Sequence, residues 1–163
     1  MQRTAALALA CALWLAAGAA CSRRRAPDPR FNGAWQLDLS QSRGVPPMMQ
    51  GHSTVIKLTA SGEAFTIAFV FDGNPMNVST FILDGQSHPL PLGGVTGAAV
   101  ARVLAGGRAI ALDIHRPPGS PAAADEHIVF TLAPDGQTIR RERTVPGRSG
   151  PPQVYLYRRL SSN

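Results

Sequence analysis

The sequence reads as all-β, an antiparallel up-and-down β-barrel of about eight to ten strands. Three observations carry this. Short segments of alternating apolar and polar residues recur about every 8–12 residues. Turn residues separate them, drawn from 16 Gly and 14 Pro scattered along 163 residues. Beyond the N-terminal segment, no stretch keeps a helical period for three turns. Strands joined by short loops pair antiparallel, and a meander of this length removes its edges most simply by closing on itself.

The elements follow in order. Residues 1–20 have the layout of an export signal: a short basic start at Arg3, an apolar run from Ala5 to Ala17 too short to span a bilayer comfortably, then small residues. Residues 21–30 are a tether with a run of three arginines, Arg23 to Arg25, then two prolines and Arg30. A barrel occupies residues 31–160. Its first strand is AWQLDLS, with Trp35, Leu37 and Leu39 on one face. A loop with Met48 and Met49 leads to STVIKLTA and, after Ser-Gly-Glu, to AFTIAFVF. Asp-Gly-Asn-Pro turns into MNVSTFILDG. QSHPLPLGGVTG reads as a long loop. AAVARVLA follows and leans towards strand through its valines, although Gly93 to Leu104 also admits a short helix. RAIALDIH, DEHIVFTLA, QTIRRERTV and QVYLYRRL complete about nine strands.

Cys11 lies inside the signal and would leave with it, so Cys21 is the one cysteine of the mature chain and no internal disulfide is possible. Several motifs then add up. Gly33-Ala34-Trp35 resembles the G-x-W motif of lipocalins. The chain is similar to a group of small exported bacterial proteins with lipocalin-like domains. The carriers are FNGAWQLD with Ser42 behind it, LDGQSHP, Pro134-Asp135-Gly136-Gln137-Thr138, and a last strand with Tyr157, Arg158 and Arg159. The resemblance runs from Phe31 to about Arg159 and implies a hydrophobic-ligand pocket. It also implies that Trp35 closes one barrel end against Arg159 or Arg158, and that the loop after the first strand lids the other. Cys21 resembles the lipid-attachment cysteine of bacterial lipoproteins, though Gly18 stands where their motif usually has Leu. Ser22 beside it resembles the outer-membrane type, facing the periplasm. The alternative is a soluble periplasmic or secreted protein.

Candidate site residues come from parity. Phe65, Ile67, Phe69 and Phe71 share a face and line a pocket or pack a core. Ile139, Arg141, Arg143 and Val145 share another, so two guanidiniums point into the barrel unless the strand flares into solvent. Buried, they need an anion: Glu63, Asp113 or a bound head group. Met48 and Met49 suit adaptable apolar contacts in a lid.

The net charge is +6, nearly all arginine, and does not by itself indicate nucleic acid. The histidines lack metal-ligand spacing, although Asp113 and His115 share a strand face. No cofactor is expected, and a monomer is. The leading expectation is non-catalytic binding of a small apolar or amphipathic molecule, neutral or anionic. The alternatives are a protein-interaction module with a solid barrel and, more weakly, a hydrolase or isomerase using His115.

Overall fold

The computed structural model describes residues 25–104, 106–118 and 124–161; the signal and the first four tether residues, Cys21 among them, lie outside these. Ten antiparallel strands form one sheet: β1 (Gly33–Arg43), β2 (Thr54–Ala60), β3 (Ala64–Phe71), β4 (Asn74–Ile82), β5 (Ser87–Leu92), β6 (Val95–Val103), β7 (Ala109–His115), β8 (Glu126–Leu132), β9 (Thr138–Thr144) and β10 (Gln153–Arg159). Each strand bonds to its neighbour in the chain, except β4 to β5, and β1 bonds to β10. The barrel is therefore nearly closed, with a slot between β4 and β5.

The expected long loop QSHPLPLGGVTG is instead β5, a tight turn and the start of β6. Pro89 and Pro91 make it look non-strand. They are tolerated because β5 pairs only with β6, so the missing N–H groups fall on its free edge. Within Gly93 to Leu104, Gly93 and Gly94 make that turn and Val95–Val103 is strand and not helix, in keeping with its valines.

Alternation sets the interior. Trp35 and Leu37, Ile56 and Leu58, Phe65 and Ile67, Phe81, Leu90, Ala99 and Ala101, Ile110, Leu112, Ile128, Phe130, Leu132 and Ile139 form one continuous core. It is densest at one end. There Phe31, Phe65 and Phe130 meet edge-on in a chain, with centroids 6.0 and 5.3 Å apart. Tyr157 is buried in the same core, and burial pushes its phenol up to about 12.

That end is shut by the G-x-W segment. Trp35 is fully buried and its Nε1 donates to the Phe31 carbonyl at 3.0 Å. The Arg159 guanidinium lies 4.1 Å from the indole centroid, a cation–π contact. It also donates from Nε to the Gly136 carbonyl, from Nη1 to the Asn32 carbonyl, and from Nη2 to the Arg30 carbonyl. Gly33 has φ +137°, and a Cβ there would sit 2.9 Å from Arg159 Nη1. The glycine is needed for backbone and for space. Arg158 points outward instead and pairs with Asp38 at 2.7 Å. Ser42 accepts from the Leu156 N–H and donates to the Asp38 carbonyl, bridging the register break between β1 and β10.

Candidate ligand site

The opposite end, here the mouth, is built differently. It gathers the β1–β2 loop, the β3–β4 and β5–β6 turns, the β7–β8 loop and the β9–β10 loop. On β9, Ile139 is buried at the closed end, and Arg141 and Arg143 follow on the same inward face. On β8, Ile128 and Phe130 face inward, so parity brings Glu126 inward as well.

Glu126 is the anion that the interior supplies. Arg143 Nε lies 2.8 Å from its Oε2, and Arg116 Nη2 lies 2.8 Å from its Oε1. The side chain of Glu126 is only 9% exposed. Burial pushes its carboxyl up, but the hydrogen bonds from Arg143 and Arg116 outweigh this and hold it below the ordinary glutamate range. The same bond to Glu126 raises Arg143 above its usual value. Arg143 also donates to Gln153 at 2.7 Å, and the Tyr155 hydroxyl donates to that oxygen at 3.3 Å.

The sequence alone offers Glu63 or Asp113 as protein partners. Glu63 sits instead in the exposed β2–β3 turn at the closed end. Asp113 faces outward, 2.7 Å from Arg102 and 2.5 Å from His127. His115, two residues further on the same outer face, bonds Asp125 at 3.0 Å. These pairs lie on the outer wall, away from the barrel interior.

Arg141 has a different environment. Its guanidinium carbon lies 5.0 Å from the Tyr155 ring centroid and 5.9 Å from that of Phe130. Its buried Nε has no hydrogen-bond partner. Among the described residues it has no carboxylate, because Glu126 is taken by Arg143 and Arg116. Among the described residues, Arg141, Arg143 and, from the loop beyond β7, Arg116 thus face the single carboxylate of Glu126 at this end. Two rim clefts of about 260 and 370 Å³ flank Arg143 and are walled by Arg148 and the β9–β10 loop.

The apolar wall divides along its length. Phe65 is fully buried against Phe31 and Phe130, and Ile67 packs beneath the mouth. Phe69 and Phe71 are half-buried nearer the opening, and Phe71 stacks on His52 at the rim. In the loop after β1, Met49 packs on the core, whereas Met48 is 75% exposed and turned to solvent. Arg116 had no signal in the pattern, since it lies in a loop beyond β7 and reaches Glu126 only through the fold.

No family model matches the chain, and no curated protein matches it. Solved structures do. The REP1-NXSQ fatty acid transporter aligns at TM-score 0.59 and 16% identity, over 82% of this chain and 98% of that one. The Schistosoma mansoni fatty acid binding protein, solved with arachidonic acid, aligns at 0.58 and 17%, over 81% and 97%. The secretory abundant heat soluble protein 4 of Ramazzottius varieornatus aligns at 0.58 and 16%, over 84% and 99%. The shared feature is the barrel. At these identities the likeness establishes the fold and nothing finer.

Proposed function

We propose that this chain is a non-catalytic, exported envelope lipoprotein whose barrel holds a small amphipathic anion at the mouth end. Arg141 carries the reading. A half-buried guanidinium without a counter-ion is costly to keep, and a carboxylate or similar head group removes that cost through a charge-assisted, bidentate pair. The Tyr155 ring already flanks this guanidinium, and its hydroxyl lies beside Arg143 through Gln153. Phe69, Phe71 and Met49 supply apolar surface towards the opening. The closed half is filled by Phe31, Trp35, Phe65 and Phe130, so the ligand occupies the mouth half only. The rim clefts of about 260 and 370 Å³ open beside Arg143 and are not lined by Arg141, so a head group on Arg141 would enter past them from the mouth. That two of the barrels it resembles are named for fatty acids supports this choice of ligand class.

The export signal and Cys21 support an outer-membrane lipoprotein facing the periplasm. A monomer carrying one barrel is the simplest form of this protein.

The test compares a medium-chain carboxylate with the corresponding alcohol by calorimetry. Arg141→Gln should weaken the carboxylate at least tenfold and leave the alcohol nearly unchanged. Equal losses for both, or no binding of either to the unaltered protein, would overturn the reading. In the second case a protein-interaction module becomes the better account. The exposed apolar strand β4 favours that alternative, with Met76 and Val78 both about two-thirds exposed.

A further inference from the structure

We infer that the barrel stands with its closed end towards the membrane and its mouth away from it, so that ligand is loaded from the aqueous side and not from the anchoring bilayer. This rests on the lipid-anchor reading of Cys21 given above. The observation that carries it is where the tether enters the fold.

Residues 26–32 are laced to the closed end. The Asp28 N–H donates to the Gly107 carbonyl at 2.8 Å, and the Ala26 carbonyl lies against Gly107 so closely that a Cβ would meet it at 3.0 Å. Arg30 Nη1 donates to the Pro134 carbonyl at 2.9 Å, and Arg159 Nη1 to the Asn32 carbonyl at 3.0 Å. Pro27 is buried. Gly107 and Pro134 belong to the β6–β7 and β8–β9 turns, both at the Trp35 end.

Lengths then decide the orientation. Four residues separate Cys21 from Ala26, and the five steps between them reach at most about 18 Å when fully extended. Strand β1 alone has 11 residues. At about 3.3 Å per residue and a tilt of about 40°, the barrel wall stands roughly 28 Å tall. A tether fixed at the bottom is too short to let the mouth turn onto the surface that holds the acyl chains. The tether's charge agrees with the placement: Arg23, Arg24 and Arg25 lie next to the anchor, where anionic head groups would meet them, whereas on the closed end itself Arg30 and Arg108 are balanced by Asp28, Glu63 and Asp135.

The experiment uses the full-length acylated protein in vesicles of phosphatidylethanolamine and phosphatidylglycerol. Acylated Cys21 does not react with a maleimide dye, so one dye goes on Arg108→Cys at the closed end and, in a second protein, on exposed Thr96→Cys at the mouth. Quenching by a head-group nitroxide lipid is then read. The expectation is at least threefold stronger quenching at position 108 than at 96. A 12-residue Gly-Ser insertion after Arg25 should bring the two closer together. Equal quenching, or stronger quenching at 96, in protein that floats with the vesicles would overturn the orientation alone. Failure to float with Cys21 intact would overturn the anchor reading, and the orientation with it.

Discussion

Arg143 and Glu126 meet inside the barrel, with Nε 2.8 Å from Oε2, and Arg116 completes the pair from the loop beyond β7. Breaking a buried ion pair from one side leaves the other charge uncompensated. Glu126→Gln should therefore lower stability by about 3 kcal/mol, read as a reduced urea midpoint with unchanged slope. The same change makes the interior more positive, so anionic ligands should bind more tightly. A variant that loses stability but gains no anion affinity would show that Glu126 does not compete with ligand for the arginines.

The acid side of the stability curve follows from the same carboxylate. Its folded pKa lies below the ordinary 4.5, so the proton is held more weakly in the folded chain than in the unfolded one. The stabilisation is therefore fully present above about pH 4.5 and fades as pH falls through the folded value. Asp113, whose burial is outweighed by its bonds to His127 and Arg102, adds loss over the range below 3.8. At the alkaline end Tyr157 acts in reverse. Its pKa rises from 10.0 to about 12, so its contribution is intact below pH 10 and is lost as pH climbs to 12. Chemical denaturation from pH 2 to 12 should give a plateau between about pH 5 and 10. Glu126→Gln should flatten the acid limb, and Tyr157→Phe the alkaline one.

Arg141 lacks the partner that Arg143 has. Replacing it by an apolar side chain of similar length removes a desolvated charge and keeps the packing on Phe130 and Tyr155. Arg141→Met should raise the stability of ligand-free protein by about 1 kcal/mol while abolishing selectivity for anions over neutral amphiphiles. Thermal melts with and without a carboxylate test both halves. A destabilised variant would mean that the guanidinium is structurally required and not held for a ligand.

These residues differ in how openly the sequence displays them. Parity alone puts Arg141 and Arg143 inside, and the same count from Ile128 and Phe130 puts Glu126 with them. The Trp35–Arg159 contact is legible because β1 and β10 close the barrel and bring those two into register. Strand β5 is hidden by Pro89 and Pro91, which signal a loop in any strand except an edge. Met48 and Met49 are equivalent in sequence, but one 3-10 turn over Pro47–Met49 sends them opposite ways. Arg116 and the fate of Asp113 depend on long-range geometry that no local pattern carries.

The closed end makes its own prediction. Arg159 ties the carbonyls of residues 30, 32 and 136 together and covers Trp35. Arg159→Ala removes these bonds to charge and the cation–π contact, and should cost about 2–4 kcal/mol. Gly33→Ala should cost about 1–3 kcal/mol through its positive φ and the clash with the same guanidinium. Trp35 is the only tryptophan after residue 14, so its emission reports the site directly. Both variants should shift it to the red before global unfolding. An unshifted spectrum in Arg159→Ala would mean that the indole is sealed without the arginine.

The edge beside the slot gives the last test. Between Ala64 and Leu83 the chain carries one charge, Asp72, and β4 ends the sheet with its outer residues open to solvent. Val78 lies opposite Ala68 on that outer face and is 67% exposed. An unpaired, uncharged, apolar edge invites pairing with a second chain, and a lysine placed there opposes it by bringing like charges together. Val78→Lys points into water, so stability should change by less than about 0.5 kcal/mol. Aggregation near the melting temperature, followed by light scattering, should slow several-fold. Ser87→Lys on β5 is the informative control, because that short edge carries two central prolines, Pro89 and Pro91, whereas β4 has only Pro75 at its start, so β5 should respond little. Equal slowing by the two lysines would assign the effect to net charge and not to the β4 edge.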